Sequence, residues 1–197
     1  MNMMKENGTE REMEQENGNG EALKGGNATA AGKTAPGMGG RYPLNETEQA
    51  LLKATEEELG HPLEEMAKNP GYNWCFACGE DNPIGLHLHF FRLEDGCLAF
   101  FTPGKEHQSY NGRMHGGLIT VLLDEVMGNY LFMTEGKPAY TARIDLRFRN
   151  PVEIGSTIRC IGRIASRRGR LVMMEGKILN PDGTVAAEAN ARMMIGE

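Results

Sequence analysis

A glycine pair, followed seven residues later by a carboxylate, offers the clearest chemistry in this sequence. Gly116 and Gly117 come directly after His115, at the start of the longest apolar stretch, residues 115–133. Glycine has no Cβ, so a ligand can approach its backbone closely. The first N–H groups of a helix have no acceptor within that helix. A helix that starts here could therefore bind an anion or stabilise a developing oxyanion.

Asp124 is the carboxylate of this pattern, and it lies among apolar neighbours. Burying a carboxylate is costly, so it needs a partner or a purpose. Adjacent helical residues point about 100° apart, so we expect Asp124 and Glu125 not to face one site together. A Gly-Gly turn followed by an exposed Asp-Glu step is the alternative, and the spacing alone leaves both open.

Arginines form a second group of candidates. Arg143, Arg147 and Arg149 alternate along a predicted strand and so share one face, while Arg168 lies beside a predicted turn. Residues 137–197 hold 11 basic and 6 acidic residues. Guanidinium groups suit the phosphates of a ligand, and a solvated sheet face is the alternative.

The spacing Cys75-x-x-Cys78 is found in zinc sites, and His87 and His89 could supply a second ligand pair. A redox dithiol is another reading. We favour a local turn with buried thiols, and we expect neither a metal nor an organic cofactor.

Composition excludes several classes of protein. The net charge of −6 argues against a nucleic-acid-binding protein. No apolar run approaches the ~20 residues that span a bilayer, so no membrane partner is expected. Four cysteines form no disulfide framework, which favours the cytoplasm. Residues 1–40 hold a single Leu and no Val, Ile, Phe, Trp or Tyr, which predicts disorder.

The hydrophobic pattern predicts an α+β fold with one long helix. Residues 115–133 have the length and spacing of a buried helix. The predicted strands are residues 86–93, 97–101, 140–149, 157–167, 171–179 and 185–194. Three parts follow: a disordered tail over 1–44, a peripheral helical segment over 45–70, broken near Gly60 and Pro62, and a folded domain over 71–197.

Residues 74–197 resemble the PaaI-like branch of the hotdog-fold acyl-CoA thioesterases. The motifs that carry the resemblance keep their order along the chain. They are Cys75-Phe-Ala-Cys78-Gly79, Asn82-Pro-Ile-Gly-Leu86, His115-Gly-Gly-Leu-Ile-Thr-Val-Leu-Leu-Asp124-Glu125-Val-Met-Gly128, Thr141-Ala-Arg-Ile-Asp-Leu-Arg-Phe-Arg-Asn-Pro151-Val and Pro181-Asp-Gly183.

The resemblance implies a single hotdog domain, with a long central helix wrapped by a curved antiparallel sheet. It implies a homodimer or a dimer of dimers, with active sites between subunits. The Gly116 amide of one subunit would polarise the thioester carbonyl. Asp124 of the other would act as general base or nucleophile, with Thr141 orienting the water.

The same resemblance gives His115 a role in orienting the loop or contacting the thioester. Many members have Asn six residues before this His, where this chain has Ser109. Carbonyl polarisation would therefore rest mainly on Gly116, with Asn111 and Gly117 as further substrate-binding candidates.

The expected function is acyl-CoA thioester hydrolysis to a free acid and CoA. A hotdog protein that binds or senses acyl-CoA without turnover is the alternative, and a carboxylate near the thioester argues against it. A hydratase is disfavoured because an obvious paired Asp/His arrangement is missing. A partner-docking role for residues 45–68 is compatible with each of these.

Overall fold

The computed structural model describes residues 41–67 and 71–197. The tail prediction therefore lies outside the described residues, apart from positions 41–44. Within the described part the structure has two α-helices and six strands. They are α1 (Glu46–Leu59), β1 (Phe90–Arg92), β2 (Gly96–Phe101), α2 (Gly116–Glu135), β3 (Ala139–Phe148), β4 (Ile158–Arg168), β5 (Leu171–Leu179) and β6 (Val185–Ile195).

The six strands form one antiparallel sheet in the order β1-β2-β4-β5-β6-β3. Helix α2 packs against five of them, β2 to β6, among the described residues. Its apolar side is fully buried, with Leu122, Leu123 and Val126 each 0% exposed. This is the α+β, hotdog-like architecture expected from the sequence. The predicted strands after α2 agree with the observed ones to within one residue at each end.

Glycine allows α2 to lie directly on the sheet. Gly162 of β4 is paired with Gly176 of β5 beneath the helix. A Cβ built at Gly162 would lie 2.5 Å from the carbonyl oxygen of Val126. Because no side chain fits between them, the helix backbone rests on the strand, and this contact fixes the height of α2 above the sheet.

Helix α1 covers a separate apolar cluster. Asn45 forms a capping box with Glu48, which fixes the start of the helix. The cluster consists of Phe91, Leu98 and Phe100, with partly buried leucines packed on it, among them Leu51, Leu52 and Leu63. The predicted peripheral helix is thus present at Glu46–Leu59.

The prediction of a second helical piece after Gly60 is wrong. Gly60 has a left-handed φ of 77° and ends α1. The chain then runs extended along β1, with the Met66 N–H donating to the Phe90 carbonyl at 2.7 Å and the Arg92 N–H to the Glu64 carbonyl at 2.8 Å. Backbone pairing with β1 therefore replaces helix here.

The strand predicted over 86–93 is observed only at Phe90–Arg92. His87 has a positive φ of 53°, which interrupts extended backbone before β1. Its neighbours Leu86 and Leu88 instead donate their N–H groups to the carbonyls of Phe76 and Ala77, at 2.8 and 2.9 Å. None of the helices in the described part is long and apolar enough to cross a membrane.

Candidate active site

A cavity of about 400 Å³ lies between α2, the start of β3 and the segment 72–80. It combines apolar and polar side chains, which is typical of a site for a small organic ligand. Residues from α2 and β3 that line it include Asp124, Glu125, Phe132, Met133 and Thr141. Our expectation that Asp124 and Glu125 would not share a site is wrong, because both line this one cavity.

Asp124 and Thr141 meet in the cavity wall. The Thr141 hydroxyl donates to Asp124 Oδ1 at 2.6 Å. Thr141 lies on β3 where the pairing with β6 shifts register between Thr141 and Arg143. Such an irregularity re-aims a side chain, and here it comes directly after the residue that contacts α2. The charge-assisted hydrogen bond fixes the orientation of the Asp124 carboxylate.

The solvation of Asp124 differs from the sequence-based expectation. We expected a buried carboxylate, whereas the structure leaves it half-buried at the cavity surface. A carboxylate in this position keeps access to water, and Thr141 occupies one of its oxygens. This arrangement suits a group that must exchange a proton with a bound water.

The start of α2 is organised by His115. Its Nδ1 accepts a hydrogen bond from the Gly117 N–H at 2.9 Å, which makes His115 the N-cap. An accepting Nδ1 is unprotonated, so the neutral ring carries its proton on Nε2. The Gly117 N–H is thereby engaged, whereas the Gly116 N–H has no acceptor among the described residues.

Gly116 lies far from Asp124 within one chain. The two are eight residues apart on α2, roughly 12 Å along the helix axis at 1.5 Å per residue. Of the described residues that line the cavity, none is His115 or Gly116. A Cβ at Gly116 would lie 3.3 Å from the Phe148 ring, so glycine keeps this helix start open.

Sequence reasoning missed that Glu125 lies beside the Cys75–Cys78 pair. The Cys75 sulfur lies 3.6 Å from Glu125 Oε1. Burial raises the pKa of Glu125 to about 8, with the charge of Cys75 adding to the effect. The hydrogen bond from the Cys78 thiol lowers the pKa of Cys75, and the same contact raises that of Cys78. Glu125 lies three residues after Leu122 and seven after Leu118, a spacing that could have placed it on the buried face of α2. The position of the cysteine loop beside it could not be read from spacing.

His87 and His89, which the spacing offered as a possible second pair of zinc ligands, are engaged elsewhere. His87 stacks on Tyr42 with ring centroids 3.4 Å apart. His89 Nδ1 lies 2.6 Å from Glu65 Oε1, and its Nε2 lies 2.7 Å from the Tyr42 carbonyl. The histidines therefore contact the chain before α1 and the segment after it, and neither belongs to the ligand cluster that contains the two cysteines.

The candidate phosphate-binding arginines lie on exposed surface. Arg143 pairs with Asp145 through two hydrogen bonds of 2.8 Å, and Arg149 pairs with Glu188 at 2.5 Å. Arg147 and Arg168 make no ion pair with the residues that the structure describes. Asn111 lies on an exposed turn before α2, away from the cavity lining.

The comparisons with known proteins concern the fold that carries this cavity. Residues 111–187 match the family model described as the thioesterase superfamily. Over those residues the chain is similar to that superfamily. They span α2, β3, β4, β5 and the start of β6, and so contain both Asp124 and Thr141. The match supports the PaaI-like resemblance that the motifs indicate.

Solved thioesterase structures share this fold. The PaaI protein of Escherichia coli is 16% identical with a TM-score of 0.51, over 55% of this chain and 83% of that one. A hypothetical thioesterase of Streptococcus pneumoniae, solved with coenzyme A, is 17% identical with a TM-score of 0.52, over 55% and 85%. Zebrafish thioesterase superfamily member 2 is 16% identical with a TM-score of 0.53, over 76% and 98%. No curated protein sequence matches the chain significantly.

Proposed function

We propose that this thioesterase-superfamily chain is a cytoplasmic acyl-CoA thioesterase that hydrolyses an acyl thioester to a free acid and CoA. The observation that carries the proposal is the Thr141 hydroxyl held 2.6 Å from the Asp124 carboxylate in the wall of the cavity. The four cysteines are free thiols, which suits a reducing compartment.

Asp124 is the general base of this hydrolysis. It removes a proton from water, whose oxygen attacks the thioester carbonyl carbon and forms a tetrahedral oxyanion. Collapse of that intermediate breaks the C–S bond, and the proton passes from Asp124 to the leaving CoA thiolate. Direct attack by the Asp124 carboxylate, followed by hydrolysis of the anhydride, uses the same residue as nucleophile.

Gly116 of the partner subunit supplies the oxyanion donor. Its N–H has no acceptor among the described residues and lies at the positive end of α2. Donation of this N–H to the oxyanion stabilises the transition state more than the ground-state carbonyl. His115 acts as a positioning residue, because its cap on Gly117 fixes the first turn of α2. The distance between Gly116 and Asp124 along one helix is the reason to place them in different subunits of a homodimer.

Of the four candidate arginines, the two that make no ion pair in the described part of the chain are the better phosphate ligands. Arg147 and Arg168 are exposed and unpaired in the described part of the chain, so binding a phosphate there breaks no existing ion pair. Arg143 and Arg149 would have to leave Asp145 and Glu188. The S. pneumoniae protein solved with coenzyme A supports CoA as the ligand class.

The test is release of free thiol from a panel of acyl-CoAs, from short to long and including aromatic acyl groups. We expect turnover with at least one member of the panel. Tight binding of acyl-CoA with no thiol released from any member would replace this proposal by the binding or sensing function.

A further inference from the structure

Three metal-ligating side chains meet on the cavity wall beside Asp124, and the proposed hydrolysis does not use them. Within residues 41–67 and 71–197, the ligand atoms of Cys75, Cys78 and Glu125 lie within 4.8 Å of one another. Cys75 Sγ and Glu125 Oε1 are 3.6 Å apart. Two ligand atoms on one tetrahedral zinc ion lie roughly 3.3–3.8 Å apart, given bonds of about 2.0–2.3 Å. Small side-chain rotations would therefore bring all three onto one ion.

The backbone of the cysteine loop forms a tight turn that keeps the sulfurs of Cys75 and Cys78 close together. The Gly79 N–H donates to the Cys75 carbonyl at 2.9 Å and closes the turn. A Cβ at Gly79 would lie 2.3 Å from the Asn73 carbonyl oxygen, so only glycine fits there. The turn thus presents both sulfurs to α2, where Cys75 contacts Glu125 and Cys78 contacts Asn129.

The surroundings of the cluster orient its members. Asn129 lies one helical turn after Glu125, on the same face of α2. Its Nδ2 donates to Cys78 Sγ at 3.6 Å. His87 Nδ1 lies 3.1 Å from the Gly79 carbonyl and contacts the turn from its other side. Contacts of this kind, one shell beyond the ligands, hold metal-binding side chains in place.

We propose that Cys75, Cys78 and Glu125 bind one Zn²⁺ per chain, with the fourth coordination position facing the cavity. Thiolate ligands select zinc among the common divalent cations, and a Cys-x-x-Cys turn is a frequent zinc-binding element. All three residues line the cavity, so a fourth ligand would come from that side. The ion would tie the cysteine loop, which forms one wall of the cavity, to helix α2.

This ligand set differs from the one considered from the sequence. There the second pair was His87 and His89, which the structure engages with Tyr42, Gly79 and Glu65. Glu125 takes their place because it lies one residue after Asp124 on α2 and faces the same cavity. The site is independent of whether the domain hydrolyses thioesters.

The experiment titrates full-length protein, reduced and stripped by a chelator, with Zn²⁺ alone in competition with a chromogenic chelator. We expect one ion per chain. Cys75→Ser, Cys78→Ser and Glu125→Gln should each weaken binding at least about 10-fold. Cys97→Ser is the matched control and should bind as wild type, because Cys97 donates to the Val126 carbonyl at 3.1 Å and serine can do the same. Co²⁺ in place of Zn²⁺ should show thiolate-to-metal charge-transfer absorption.

A measurement on wild type alone guards against variants that fail to fold. Zn²⁺ should slow alkylation of Cys75 and Cys78 by at least about 10-fold, read by mass spectrometry of each cysteine. Asp124→Asn should lose turnover yet keep its zinc, which separates this site from the proposed hydrolysis. Wild type that binds no Zn²⁺ at micromolar concentration, or a folded Glu125→Gln that binds it as wild type does, would overturn the proposal.

Discussion

At the scale of the residue, the hydrogen bond from Thr141 to Asp124 is the feature that gives the cavity its chemistry. It joins two elements that are distant in sequence, the middle of α2 and the start of β3. The sequence indicates Asp124 because a carboxylate among apolar neighbours is costly to bury without a partner or a function. Thr141 came only from the family resemblance, since a Thr on a strand has no signal of its own.

The register shift on β3 explains why Thr141 could not be placed by alternation alone. Strand residues alternate between faces, but the shift between Thr141 and Arg143 breaks that alternation at this point. The sequence analysis excluded Glu125 from the site because adjacent helical residues point about 100° apart. The cavity is nevertheless wide enough to be lined by both Asp124 and Glu125.

Removal of the Thr141 hydroxyl should impair turnover without unfolding the protein. A hydrogen bond to a charged group contributes about 1.5–3 kcal/mol, so we expect Thr141→Ala to lower kcat roughly 10- to 100-fold. Thr141→Ser keeps the hydroxyl and should recover most of the activity. Steady-state thiol release, with thermal melts of both variants, checks this. Equal activity of the Ala and Ser variants would show that Thr141 does not act through its hydroxyl.

At the scale of the element, α2 and the strands beneath it were predicted to within one or two residues at each end. Their apolar runs are long and their turns carry Gly, Asn, Asp and Pro, so local pattern and tertiary structure agree. The segment 61–93 was predicted less well. Its backbone pairs between 62–67 and β1 and between 76–77 and 86–88, and such long-range pairs leave no periodic trace in the sequence.

The close approach of α2 to β4 should make Gly162 intolerant of a side chain. Gly162→Ala places a methyl group 2.5 Å from the Val126 carbonyl oxygen, so we expect a loss of about 1–3 kcal/mol in the free energy of unfolding. Gly128→Ala is the control, because its Cβ meets only Met193, at 3.7 Å. In the helix interior that change should stabilise by about 0.5–1 kcal/mol. Urea denaturation measures both, and a change of the same sign in both would contradict this packing.

At the scale of the whole molecule, the edge strand β3 needs a partner. It pairs with β6 on one side only, among the described residues, and it exposes Tyr140 and Phe148 by 63% and 54%. A long edge strand that carries exposed aromatic side chains and is left open invites pairing with a second copy. Light scattering after gel filtration should therefore give the mass of a homodimer or a dimer of dimers. A monomer at micromolar concentration would remove the shared site together with the role of Gly116.

The N-terminal 40 residues should be dispensable for the domain. Their apolar side chains are Met, Ala and a single Leu, with no Val, Ile, Phe, Trp or Tyr, which is too little apolar area to form a core. We expect deletion of residues 1–40 to leave the melting temperature and thiol release nearly unchanged. A fall of several degrees in melting temperature would show that this segment packs on the domain.

If Asp124 is the catalytic base, its loss should appear in kcat for thiol release from the best acyl-CoA. Asn at 124 keeps the size of the side chain but cannot accept a proton, so Asp124→Asn should lower kcat at least roughly 10²-fold with stability unchanged or improved. Glu125→Gln, measured beside it in the presence of Zn²⁺, should lose much less. Glu135→Gln, at the end of the same helix and paired with Arg167, should match wild type. An active Asp124→Asn beside an inactive Glu125→Gln would place the catalytic carboxylate one residue further along α2 and contradict the role of Asp124 as general base.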